Sequence, residues 1–176
     1  LNPPPGDWLN WRRTLDGQGY SPLKDITREN VGGLRLAWSI VMREGNNEAT
    51  PLVHDGVMFL INPQNVIQAI DAKSGDLIWE YQYKYPKDAM TLGGATRSIA
   101  IYKDKLYMAT YDAAIVAVDA KTGKELWSTS LDNTVNANPM TYRGKNGKQY
   151  VVLIATGGSY LGSPAGGDSV MAFTLP

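Results

Sequence analysis

Residues 117–127 read "AVDAKTGKELW", and residues 69–79 have already read "AIDAKSGDLIW". Ala69, Asp71, Gly75 and Trp79 recur as Ala117, Asp119, Gly123 and Trp127, a constant step of 48 residues. Self-similarity at such a period is the signature of a repeat architecture, so the chain is read as copies of one supersecondary unit.

Outside this motif the pattern is alternating and rich in Val, Ile, Tyr and Trp, interrupted by Gly, Asn and Asp, with only a short turn suggested at 25–31. The expectation is an all-β chain. Each repeat reads as a four-stranded meander. One strand ends near Val53 or Ile101, and a turn follows at His54 to Gly56 or Lys103 to Lys105. Then come "VMFLI" or "LYMAT", "VIQAID" or "AIVAVD", and "LIWEYQY" or "ELWSTSL". The repeated motif spans the turn between the third and fourth strands. There an Asp carboxylate can accept from nearby backbone amides and a glycine can adopt positive φ. Trp79 and Trp127 then fall early in the outermost strand, where a large ring with one N–H can rivet neighbouring sheets.

A third copy is divided between the two ends of the chain. "ANPMTYRGKNGKQYVVLIAT" and "SVMAFTLP" supply three strands, with Val170, Ala172 and Phe173 in the places of Ile67, Ala69 and Ile70. "LRLAWSIV", residues 34–41, matches the fourth strand, with Trp38 in the rivet position. The expected fold is therefore one partial β-propeller over 1–176. Its four-stranded antiparallel blades lie at 49–83, 96–131 and 137–176, and 34–41 acts as a velcro outer strand for the last. Three blades are fewer than a ring normally needs, so closure through self-association of chains is expected.

Composition bounds the function. The 17 basic and 17 acidic residues cancel, which gives no reason to expect a nucleic-acid partner, and with no cysteine there is neither a disulfide nor a thiolate metal site. No run is long and apolar enough for a membrane span. The opening "LNPPPGDW" lacks the features of a signal peptide, as expected of either a mature exported chain or a cytosolic one.

Four stretches carry a family resemblance: "GDWLNWRRTLDGQGYSPLKDITRENVGGLRLAWS", "NNEATPLVHDGVMFL", "GATRSIAIYKDKLYMATYDAAIVAVDAKTGKELW" and "GKQYVVLIATGGSYLGSPAGGDSVMAFTLP". Together they resemble the pyrroloquinoline quinone (PQQ)-dependent alcohol and sugar dehydrogenases, with the first blades joined directly to the last. The resemblance implies a periplasmic quinoprotein that oxidises a hydroxyl by hydride transfer to PQQ, with a calcium or lanthanide ion beside it and a periplasmic electron acceptor. It also implies that Glu48 and Arg97, each at the start of an innermost strand, are cofactor-binding residues. A guanidinium suits the carboxylates of PQQ, and Glu48 suits the site only as a hydrogen-bond partner within a network. An ordinary loop ion pair between the two is the other reading. The family's catalytic Asp and metal ligands belong to middle blades without counterparts here, so no catalytic or metal-binding residue is assigned. The alternative function is a non-catalytic propeller scaffold or ligand-binding module derived from that family.

Lesser candidates receive structural readings. His54 reads as a solvent-facing turn residue, and Asp112 and Asp168 as turn formers before a third strand. The glycines at 157, 158, 162, 166 and 167 read as an inter-strand loop, since the spacing of a phosphate cradle is absent. Tyr81, Tyr83 and Tyr85 read as edge packing along a fourth strand, and 84–95 as a surface link.

Overall fold

The computed structural model describes residues 2–14, 16–84, 96, 99–110, 112–133, 135, 139–157 and 165–176; of residues 165, 166 and 168 it describes the backbone only. Eleven strands form three antiparallel sheets among the described residues. The first sheet is β1 (Leu52–His54), β2 (Val57–Asn62), β3 (Val66–Asp71) and β4 (Leu77–Gln82). The second is β5 (Ile99–Tyr102), β6 (Lys105–Ala109), β7 (Ala114–Asp119) and β8 (Glu125–Ser130). β9 (Met140–Arg143), β10 (Gln149–Gly157) and β11 (Ala165–Phe173) make the third. Each sheet is a simple meander, and together they form an open, partial propeller. The only helical element described is the 3-10 turn Val31–Gly33, just beyond the turn expected at 25–31.

Strand composition explains the stacking. β7 reads "AIVAVD" and is buried along five of its six residues, because both faces of the second sheet are covered. Val116 and Val118 join Leu106 and Met108 against Phe59, Ile61 and Ile67 of the first sheet. Ile115 and Ala117 point the other way, with Tyr107, onto Val151 and Leu153 of the third. An unbroken apolar run is what a strand buried on both faces requires. The third sheet alternates instead, with Val151, Leu153 and Ala155 inside while Ile154 is 47% exposed on its far face.

The repeated motif has a mechanical meaning here. The carboxylate Oδ1 of Asp71 accepts from the amides of Lys73 and Ser74 at 2.8 and 2.9 Å, and that of Asp119 from Lys121 and Thr122 at 3.0 and 2.7 Å. Gly75 and Gly123 close these turns at φ +79° and +71°. The amides of Ala72 and Ala120 donate to the adjoining hairpin turns at Gly56 and Asp104, leaving their carbonyls turned outward. Trp38 donates its indole N–H to Ala72 O at 3.2 Å, and Trp79 donates to Ala120 O at 3.1 Å. Each ring lies so close over the glycine that an added Cβ would fall 2.8 Å from Trp38 at Gly75 and 2.6 Å from Trp79 at Gly123. Among the described residues, Trp127 finds no such seat. It is 40% exposed and meets Phe173 edge-on at 5.3 Å, beside a groove of about 670 Å³.

Two expectations need correction, those for His54 and Asp168. Among the described residues of a single copy, residues 34–41 form no ladder, and β11 pairs with β10 alone. Trp38 holds that segment on the first sheet, across the stack from β11. His54 ends β1 rather than sitting free in a turn. The N-terminal segment bridges Trp8 to Val53, which brings the buried Asp7 within 2.7 Å of His54 Nδ1. Asp168 lies inside β11 rather than before it, because that ladder extends to the pair Gly157 and Ala165. Tyr85 and most of the 84–95 link fall outside the described residues.

Two glycines separate backbone strain from close approach. Gly56 has φ +76° and nothing within 4 Å of an added Cβ, so Gly56→Ala should cost about 1 kcal/mol for the left-handed conformation alone. Gly123→Ala adds a collision with Trp79 and should cost roughly 2 to 4 kcal/mol in total, read by urea unfolding. The turns also predict acid sensitivity. Both carboxylates are held below their ordinary value of 3.8, Asp71 chiefly by the Ser74 amide and Asp119 by the Thr122 hydroxyl. A depressed folded-state value stabilises above the unfolded pKa and is lost as pH falls through the folded one. Asp71→Asn with Asp119→Asn should therefore flatten the decline in Tm below about pH 4.

Candidate cofactor rim

Each sheet has two ends. The lower end carries the hairpin turns at 55–56, 72–76, 103–104 and 120–124. The upper end is where β1 and β3 begin and β2 and β4 finish, and it gathers most of the buried polar side chains of the first two sheets.

Asn62 and Asn65 flank the β2–β3 turn and are fully buried. That turn carries Gln64 and Asn65 at φ +67° and +59°, a conformation that Asn accepts more readily than most residues. The Asn62 side chain accepts from the Arg43 amide at 3.1 Å and donates to Gln68 at 2.9 Å. Gln68 in turn donates to Glu80, the carboxylate that pairs with Arg43. Asn65 does something different. Its backbone N–H donates to the Thr96 hydroxyl at 3.1 Å, and that hydroxyl donates back to Asn65 Oδ1 at 3.2 Å. Thr96 is itself buried. Among the described residues, Asn65 Nδ2 is buried without an acceptor. A buried amide donor left unpaired costs about 1–3 kcal/mol, so this end of the sheet holds one donor in need of an oxygen.

The second sheet meets the first through its own loop. Thr110 donates to Asp112 Oδ1 at 2.6 Å and accepts from the Ala114 amide at 3.1 Å, which shapes the β6–β7 turn. Tyr83 reaches across from the first sheet to Asp112 Oδ2 at 3.2 Å. Tyr81, two residues earlier, donates to Glu125 at 2.6 Å. These tyrosines therefore join sheets rather than line an edge. Burial, reinforced by the facing carboxylates, raises both phenols above their ordinary pKa, so they act as donors and not as bases.

Of the two residues expected to touch a cofactor, Glu48 stands exposed at the approach to β1 on this rim. Arg97 lies outside the described residues, although its neighbour Thr96 is tied to Asn65 as above. Asn65 and Thr96 went unnoticed in the sequence. An Asn in an "NPQN" turn and a Thr before an Arg have no periodic or motif spacing that would pair them across 31 residues.

Among the described residues one group has the spacing of a metal site: Asp7, His54 and Asp55. It occupies the lower end of the first sheet. Asp7 is engaged by His54 and by the Asp55 amide at 3.3 Å. Calcium and lanthanide ions prefer oxygen ligands throughout, so an imidazole in the set argues against either.

The comparisons with known proteins agree with this architecture. Residues 8–108 and 105–151 match a family model described as PQQ, glucose/ethanol/alcohol dehydrogenase, beta-propeller domain. A quinohemoprotein alcohol dehydrogenase of Pseudomonas putida is 39% identical over 170 residues, which is 90% of this chain and 23% of that protein. A 1-butanol dehydrogenase (quinone) of Thauera butanivorans is 43% identical over 126 residues, 69% of this chain and 20% of the relative. Among solved structures, the quinohemoprotein alcohol dehydrogenase from Comamonas testosteroni superposes with TM-score 0.70 at 28% identity, covering 85% of this chain and 25% of that one. A europium-containing methanol dehydrogenase superposes at 0.72 with 28% identity, covering 89% and 29%. The chain thus spans about a quarter of the length of these relatives.

The rim's internal bonding is testable without a ligand. Thr96→Val removes both hydrogen bonds to Asn65 while keeping the side-chain shape, and should cost about 2 kcal/mol in urea unfolding.

Proposed function

The chain belongs to the PQQ glucose/ethanol/alcohol dehydrogenase propeller family, and from that premise we propose that its upper rim is a partial seat for PQQ. The observation that carries this reading is the unpaired Asn65 amide beside Thr96, whose chain neighbour is Arg97. A buried amide donor, with a guanidinium next along the chain from Thr96, would suit an anion rich in carboxylate oxygens, so the residue types present fit PQQ.

Arg97 would bind a carboxylate of the quinone as a fork, and Glu48 would orient it by hydrogen bonding. When bound, PQQ supplies a hydride acceptor for oxidation of an alcohol or sugar hydroxyl. The oxygens of Asp112 are occupied by Thr110 and Tyr83, so this chain's residues hold and orient rather than take a proton. The Asp7, His54 and Asp55 group does not suit calcium or a lanthanide. In this proposal the catalytic Asp and the metal ligands are missing from the chain, which therefore binds cofactor without turning over alone. The setting proposed by family is the periplasm, with a periplasmic electron acceptor. A non-catalytic scaffold is the reading that remains if PQQ does not bind.

Titrating PQQ, with and without Ca²⁺, against tryptophan fluorescence tests the seat. Arg97→Ala should weaken binding about 30-fold, the equivalent of ~2 kcal/mol for a charge-assisted hydrogen bond. An unchanged Kd would remove the cofactor assignment. Alcohol-dependent dye reduction by the chain with PQQ and Ca²⁺ would overturn the absence of a base.

A further inference from the structure

Arg13 is only 6% exposed, and its guanidinium forms no ion pair among the described residues. Nη2 donates to the carbonyls of Pro3 and Pro4, each at 3.2 Å. Nε is buried without an acceptor, and Nη1 donates to no protein atom among the described residues. A guanidinium keeps its charge at every working pH, and a buried charge is tolerated when it is paired. Asp7, the buried acid of the same segment, does not pair with it. Its oxygens are taken by His54 and by the Asp55 amide.

The Arg13 side chain stands in the wall of a cavity of about 410 Å³, a size suited to a small molecule. That wall is already shaped. Arg13 holds φ +67°, a left-handed conformation uncommon outside glycine. Backbone bonds fix it there: the Arg13 amide donates to Asn10 O at 3.0 Å, and Arg12 O accepts from Thr14 at 2.7 Å and from Gly19 at 3.0 Å. The same loop brings a negative charge to the cavity. Asp16 accepts from Gln18 Nε2 at 3.4 Å, and the Thr14 hydroxyl holds its carboxyl below the ordinary value, so it is ionised. Pro22 and Tyr20 add ring surface to the same lining.

We propose that this cavity binds a small zwitterion of the amino-acid class, with its carboxylate on the Arg13 guanidinium, its ammonium on the Asp16 carboxylate and an apolar side chain against Pro22 and Tyr20. The two charges of the lining decide the class. A plain carboxylate gains Arg13 but is repelled by Asp16, and a plain amine meets the reverse, so a molecule bearing both charges is the one that both residues favour. The cavity shares no residue with the seat proposed for PQQ, and nothing here depends on that cofactor.

Calorimetric titration of the chain with L-leucine tests the site. Isocaproate, which lacks the amino group, and isoamylamine, which lacks the carboxylate, should each bind about tenfold more weakly or worse, the worth of one charge-assisted hydrogen bond. Asp16→Asn, at an exposed position, should remove the advantage of leucine over isocaproate. Arg13→Gln should abolish binding of both, with circular dichroism reporting whether that variant folds; if it does not, Asp16→Asn carries the test. Arg97→Ala should leave the Kd for leucine unchanged, which separates this cavity from the cofactor rim. The proposal is overturned if leucine gives no binding heat, if isocaproate binds as tightly as leucine, if Asp16→Asn preserves the difference between them, or if Arg97→Ala weakens leucine.

Discussion

The structure depends on an indole seated on a glycine. Ala72 and Ala120 spend their amide protons on their own hairpin turns, which leaves their carbonyl oxygens for a neighbour. A tryptophan supplies both the N–H that such an oxygen accepts and a flat ring that fills the space above a residue without a Cβ. The Asp carboxylate, bonded to two successive amides, holds the turn in the shape that presents oxygen and glycine together. Remove the ring, the bare Cα or the carboxylate, and the other two lose their purpose. That mutual dependence explains why the motif returns whole after 48 residues.

From this contact follows the order of the layers. The second sheet is placed by Trp79, which leaves the outermost strand of the first, so the upper ends of these two sheets arrive side by side. The rim is consequently built from residues of two sheets at once. Tyr83 of the first sheet closes on Asp112 of the second, and Thr96 at the approach to the second closes on Asn65 of the first. Such cross-sheet pairs leave few polar atoms unpaired on the rim, which makes the amide of Asn65, without an acceptor among the described residues, informative. A cofactor bound there would be held by the propeller's assembly as much as by any one loop.

The comparisons place the chain within a family whose members are about four times longer. The inter-sheet contacts can be retained in so small a portion because each involves only nearest neighbours, and stability in such arrays is close to a sum over adjacent units. Chemistry that draws residues from several blades has no such independence.

Local rules were enough to read the strands. Alternation and the Asp and Gly turn chemistry are properties of neighbouring residues, and they marked the strands and turns of the antiparallel sheets. The capture of His54 by Asp7 and the closure of Asn65 on Thr96 were not legible. Each joins residues tens of positions apart through one or two hydrogen bonds, with no periodicity to announce it. Amino-acid order alone determines which residues can rivet sheets and where the turns fall, because those properties reside in one side chain and its few neighbours. Which polar groups are buried, paired or left wanting emerges only when separate sheets are brought into contact.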